Sequence, residues 1–270
     1  MKRNIYHGSK RIVSHPAFGS GISSNDFGLG FYCTDNIRLA AEWAAGRQAD
    51  GFVNIYSIET DGLRIINLNS PEYCILHWLA VLLNHREFDA VNSQVYQAKD
   101  YLRTKFSVEY QNCDCLMGFR ADNSNFMFAQ DFLDGRISYR EFNNAVRLGD
   151  TGRQFVLKSN RAFDRLIVEG YETARYAESY PAAVTRDRSA RYKTFVSAYN
   201  SSIAGIDTET HSIASVRQNT VTLEKEHKGM RNTDISLRNN QKRKPKKESC
   251  PIYIDDIIRE NIMPYDSRLL

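Results

Sequence analysis

Through the first 199 residues, stretches with the two-residue alternation of strands are interleaved with stretches of helical spacing, and no βαβ repeat orders them. This constrains the fold more than any other feature. Each strand has a face to bury and each helix a stripe, and without regular crossovers the sheet cannot be uniformly parallel. The expectation is an α+β domain over 1–199. RNIYHGS (3–9) reads as a strand running into a turn, and FGLGFYCT (27–34) as a strand entered through two glycines. DNIRLAAEWAAG reads as a helix with Asp35 or Asn36 as N-cap and Gly46 behind its C-terminus. FVNIYSIE (52–59) and LRIINL (63–68) are expected strands flanking an Asp-Gly turn. Asn69-Ser70-Pro71 opens a helical region, roughly 71–105, whose Ile75, Leu76, Leu79, Leu82 and Leu83 recur at helical spacing. CDCLMGFRAD (113–122) reads as a buried strand leaving into a loop. FMFAQDFLDG is a helix closed by Gly135, and SYREFNNAVRLG another, with Ser138 and Glu141 in a capping-box pattern. GRQFVLKS (152–159) and RLIVEGYE supply two more strands, and a helical stretch is expected around 187–199.

Beyond residue 199 the composition changes. Residues 200–250 are rich in Ser, Thr, Asn, Lys and Arg and poor in apolar residues, the signature of a polar, basic linker without order. Nine Lys/Arg against two acidic residues fall in 225–247, two against five in 248–270, so a neutral body over 1–224 carries one segment at +7 followed by a piece at −3. That segment would attract phosphate backbones without reading sequence, or serve as a solvated tail. PIYIDDIIRENI then carries enough apolar spacing for a short helix over 251–264, able to dock on a partner or on the body.

Several classes are disfavoured. The longest apolar run, CILHWLAVLL (74–83), is about half what a bilayer requires, and no apolar stretch follows the basic N-terminus, so no membrane partner and a cytoplasmic location are expected, with delivery as an effector requiring a route other than a secretory signal. Five scattered cysteines make neither a disulfide framework nor a zinc site, so no metal is expected and the thiols read as small buried hydrophobes. GLGFYC lacks the third glycine of a dinucleotide fingerprint, and lysine-bearing phosphate loops, GxSxG and HExxH are absent. Three segments remain. Tyr6-His7-Gly8-Ser9 ends the first strand, and its histidine is open to a structural or a functional reading. GLGFYCT is followed by Trp43 eleven residues after Tyr32. The two rings either clamp a flat ligand or pack in the core. GRQFVLKS places Gln154 beside alternating apolar residues.

In that order these segments resemble the ADP-ribosyltransferase fold of the diphtheria-toxin and poly(ADP-ribose) polymerase type. There, a first-strand His-Gly-Ser/Thr, a Gly-x-Gly-x-Tyr strand and a later strand bearing glutamate form the NAD pocket. The stretch from Arg3 to about Glu169, including GFRADNSNFMFAQDFLDGRISYREFNNA, also resembles the bacterial DUF3990 family assigned to that superfamily. The resemblance implies split antiparallel sheets flanked by helices, with NAD as co-substrate. It implies that His7 bonds a ribose hydroxyl and that the Gly8 backbone pairs with the carboxamide, with Ser9 completing the motif. Tyr32 would stack on nicotinamide, Trp43 would stand as a second aromatic, and Gly28 and Gly30 would let the backbone pass close to the cofactor. Gln154 stands where glutamate is usual. Its amide can position a ribose hydroxyl and offer a carbonyl dipole, but cannot act as a base near neutral pH. With Gln154, Tyr32 and His7 as the catalytic set, the implied activity is mono-ADP-ribosyl transfer to an unidentified protein or nucleic-acid acceptor, the work of a toxin, effector or defence component. The base would come from the acceptor or from a neighbour such as Asp122 or Asp131. The alternatives are a catalytically weakened NAD-binding module of the same fold and an RNA-directed transferase.

Overall fold

The computed structural model describes residues 1–45, 49–89, 93–148, 152–185, 251–264, 266 and 269. Gly46, the stretch expected to be helical near 187–199 and the polar, basic segment 200–250 lie outside them. Two units are distinguished, one comprising Met1–Val196 with Pro251–Leu270 and the other Ser197–Cys250; only the first is described.

Among the described residues seven strands form two sheets. β1 (Lys2–Ser9), β3 (Gly51–Glu59) and β7 (Leu166–Ala174) lie in the order β1-β3-β7, all antiparallel. The second sheet runs β2-β6-β5-β4, from β2 (Phe31–Cys33), β6 (Arg153–Leu157), β5 (Cys115–Phe119) and β4 (Ile65–Asn67), with β4 and β5 parallel. The sheets meet where Tyr6 of β1 and Thr34 after β2 exchange backbone hydrogen bonds of 2.8 and 2.9 Å. The Asp61-Gly62 turn is present, but β3 and β4 enter different sheets rather than a hairpin.

Alternation along the strands builds the layers. Ile5, Tyr56 and Ile58 of the first sheet meet Cys33, Cys115, Met117, Phe155 and Leu157 of the second. On the outer side of the first sheet, α1 (Ile37–Ala44) lays Ala40 and Ala44 against Val53. Asn36 caps α1 by accepting from the Arg38 and Leu39 amides. The opposite side of the second sheet, through Leu116 and Val156, joins the largest cluster with α2 (Ile75–Leu83), α3 (Ser93–Lys105), α4 (Asn123–Leu133) and α5 (Tyr139–Leu148). Every residue of α2 is buried, which accounts for the apolar run at 74–83. The four described cysteines are buried free thiols. A short α6 (Asn160–Phe163) leads into β7, and α7 (Ile254–Arg259) docks on the body: Ile254, Ile257 and Ile262 enter the main cluster, and Tyr101 donates its hydroxyl to the Ile262 carbonyl.

The region expected as one helix over 71–105 is two. α2 begins at Ile75, with the Cys74 amide donating to His77 Nδ1, and ends at Asn84. The 84–89 segment leaves the helix where its groups are engaged elsewhere: the Arg86 side chain with Asp26, the His85 ring with Tyr110, and the Asp89 backbone amide with Gln130. No helix of the described residues is long and apolar enough to cross a membrane.

Candidate active site

The β2–β6 register sets the site. Tyr32 lies opposite Val156 and Cys33 opposite Phe155, so Gln154, two residues before Val156, faces the same side as Tyr32. Both point to the helical layer. Gln154 is 5% exposed, and its Nε2 donates to Asp26 Oδ2 over 2.8 Å. The carboxylate dictates this orientation, since turning the amide over would set two oxygens against each other. Oε1 of Gln154 is thereby aimed away from Asp26, and it is buried without a hydrogen-bond partner.

Asp26 is itself a hub. It is 5% exposed, accepts from the Ala121 amide at 2.9 Å through Oδ2, and pairs with Arg86 at 2.9 Å through Oδ1. Burial raises its carboxyl above the ordinary range, against the lowering pull of the Ala121 amide, Gln154, Arg86 and Arg120. Sequence reasoning passed over Asp26. The available signal was an acidic residue directly before the apolar FGLGF segment, where a carboxylate that is buried needs a partner.

The 26–30 loop is fastened on every side. The Tyr32 hydroxyl accepts from the Phe27 amide and donates to the Gly28 carbonyl at 2.9 and 2.6 Å. Lys158 Nζ donates to the carbonyls of Phe27 and Leu29. Gly28 has φ of +73° and lies over the His85 ring, and a side chain at Gly30 would run into Val156. Burial drives the Tyr32 phenol far above its ordinary value, so it stays protonated and donates.

His7 sits on the other side of β1 from Gly8. Its ring lies 4.4 Å from that of Phe31, and its Nδ1 is 2.7 Å from the Tyr32 carbonyl. A carbonyl can only accept, so Nδ1 carries the proton and Nε2 is left as an acceptor. Burial lowers the ring's pKa, against the raising effect of that bond, and keeps it neutral. Gly8 faces α1, where an added Cβ would stand 2.0 Å from the Ala40 carbonyl oxygen. Ser9 bonds the Arg11 carbonyl, and the buried Asn54 side chain ties together Ser9, the His7 and Arg11 carbonyls and the Val13 amide. Asn54 holds the turn after β1, another role without a local sequence signal.

Trp43 stands on the last turn of α1. The Arg120 guanidinium lies 4.9 Å from its ring centre, and its Nε1 is buried without a hydrogen-bond partner. Tyr32 and Trp43 are not in ring contact among the described residues. Asp122 caps α4 by accepting from the Asn125 amide, while Asp131 pairs with Arg136. Eight residues of α4 lie between them, a rise of about 13 Å, so they cannot serve one reacting centre.

A cleft of about 260 Å³ opens where β1 and β6 diverge, lined by Arg3, Asn4, Asp35, Arg153 and Gln154 among others. Nε of Arg3 is buried there without a partner. Of the expected site residues only Gln154 lines it. His7, Tyr32 and Trp43 do not line it. Its size matches one end of a dinucleotide rather than the whole. Among the described residues no group of three or more His, Cys, Asp and Glu side chains is gathered to hold a metal ion.

A protein-family model described as a protein of unknown function (DUF3990) matches residues 3–167. No curated protein and no solved structure matches the chain at a stringent threshold.

Proposed function

The chain belongs to the DUF3990 family, and from that premise we propose that it is an NAD-dependent mono-ADP-ribosyltransferase acting on a macromolecular acceptor. The observation that carries this reading is the Gln154 amide. It is oriented by a buried carboxylate, presents an unpartnered carbonyl oxygen, and stands beside Tyr32 on the neighbouring strand. An acceptor atom fixed in that way suits a ribose hydroxyl and a positive charge developing at the anomeric carbon. Three motifs far apart in sequence support it by converging: His7 holds the Tyr32 carbonyl, Tyr32 closes the 26–30 loop, and Asp26 in that loop holds Gln154.

In the reaction the bond between the ribose anomeric carbon and the nicotinamide nitrogen breaks, and its electron pair leaves with nicotinamide. A lone pair of the acceptor forms the new bond, and the acceptor's proton passes to a base. Gln154 stabilises the cation through its carbonyl dipole but takes no proton, so the base is the acceptor itself, a neighbour or water. Asp122, one residue from the Ala121 amide that bonds Asp26, is better placed for that task than Asp131. An enzyme without its own strong base transfers single groups rather than building polymer. Arg3 and Arg153 line a cleft beside the inter-sheet residues Ile5 and Phe155 and suit a phosphate there.

One observation favours a second reading, an NAD-binding module without turnover: Arg120 already covers a face of Trp43. Incubation with NAD and candidate protein and nucleic-acid acceptors, followed by mass spectrometry, separates the two. The transferase reading expects an added ADP-ribosyl mass that Tyr32→Ala abolishes, with Tyr32→Phe as the control for the loop bonds. Calorimetric binding of NAD with no labelled acceptor and no nicotinamide released would favour the second.

A further inference from the structure

We propose that Asp26 is the positioning residue of this site, the carboxylate that substitutes at one remove for the glutamate that position 154 lacks. The inference rests on the transferase reading and extends it to a residue outside the three motifs.

A glutamate at 154 would bring a negative charge to the reacting centre directly. Here the charge stands one hydrogen bond behind, on Asp26, with a neutral amide between it and the site. Two effects follow. The 2.8 Å bond from Nε2 to Oδ2 locks the amide so that its carbonyl end, not its NH2 end, faces away from Asp26. A donor engaged by a carboxylate also polarises the amide, making Oε1 a stronger acceptor and a more negative dipole end. Asp26 cannot swing to do otherwise, because Oδ2 also accepts from the Ala121 amide and Oδ1 from Arg86, and the side chain is almost fully enclosed. Arg86 joins the same hub, its guanidinium 5.1 Å from the centre of the Phe126 ring. Asp26 touches no reacting atom in this arrangement. It acts through Gln154, and no bond forms or breaks at it.

The test exchanges the two groups. Asp26→Asn keeps the size of the side chain and an oxygen that can accept from Gln154 and the Ala121 amide, but removes the charge. Nicotinamide release should fall about 100-fold in kcat, with KM for NAD changing less than about threefold. In the double variant Asp26→Asn with Gln154→Glu, the carboxylate moves to 154 and the amide to 26, so one hydrogen bond is kept with its direction reversed. That variant should recover to within about tenfold of wild type. Thermal melting reports whether each variant folds. For wild type, slow solvent exchange of the Gln154 side-chain amide protons, read by NMR on glutamine-labelled protein, reports the bond directly. Full kcat in a folded Asp26→Asn, or a Gln154 amide that exchanges freely in wild type, overturns the role of Asp26 and leaves the transferase reading standing. Wild-type protein that neither binds nor turns over NAD overturns both.

Discussion

Gly8 shows how a residue can satisfy a motif and a packing demand together. The family resemblance reads it as a backbone contact for nicotinamide, whereas the structure gives it a reason needing no ligand: α1 approaches β1 too closely for any side chain. Gly8→Ala should therefore destabilise by about 3 kcal/mol or more. Gly135→Ala, at φ of +70° with open space around it, should lose only about 1 kcal/mol. Equal losses for the two in urea denaturation would contradict the close packing of α1 on β1. Burial also sets the response to acid. His7, His77 and His85 are all held below the ordinary 6.5 chiefly by desolvation. Below that value the unfolded chain binds protons that the folded chain resists, so stability present above it is lost as pH falls. Asp26 has the opposite sign, taking up its proton more readily when folded, and offsets part of the loss. Melting temperature should fall between about pH 7.5 and about pH 5.5, and His85→Gln should flatten that slope. A melting temperature that rises over this range would contradict the assignment of three neutral rings held so by desolvation. Gln154 was legible at this scale because a polar side chain stands directly before the apolar run Phe155-Val156-Leu157 of a strand. Asp26 was not, because its partners Arg86, Ala121 and Gln154 are brought to it only by the fold.

At the scale of elements, strands and caps were the readable part. RNIYHGS, FVNIYSIE and GRQFVLKS became β1, β3 and β6, and the Ser138–Glu141 pattern is a working cap, with Ser138 donating to Glu141 through both its amide and its hydroxyl. The break between α2 and α3 was not readable. No glycine or proline interrupts LLNHREFD, and the helix yields there to contacts with distant residues. FGLGFYCT came out as only three residues of strand, because Gly28 turns the chain and Gly30 lies against Val156. The C-terminal helix belongs to the body's core although it lies beyond the family match. Ile257, fully buried in that cluster, should cost about 3 kcal/mol when replaced by Ala. A change below about 1 kcal/mol in urea denaturation would mean that α7 does not pack on the body in solution.

At the scale of the whole molecule, the intermixed pattern of strands and helices was enough to expect an α+β body, and the two mostly antiparallel sheets and their flanking helices fit that expectation. Which strands share a sheet was not legible, since pairing depends on contacts across more than a hundred residues, as between β2 and β6. That pairing sets Gln154 on the same face as Tyr32, two residues from its partner Val156, and the Gln154 carbonyl oxygen is buried there without a partner. The central claim is that this oxygen serves the departure of nicotinamide. Its most direct test is nicotinamide release from NAD by purified protein, wild type against Gln154→Ala, with melting curves to show that both are folded. Release by wild type is expected, with a loss of about 100-fold or more in the variant. Equal release by the two folded proteins, or none by wild type with any acceptor, would contradict it.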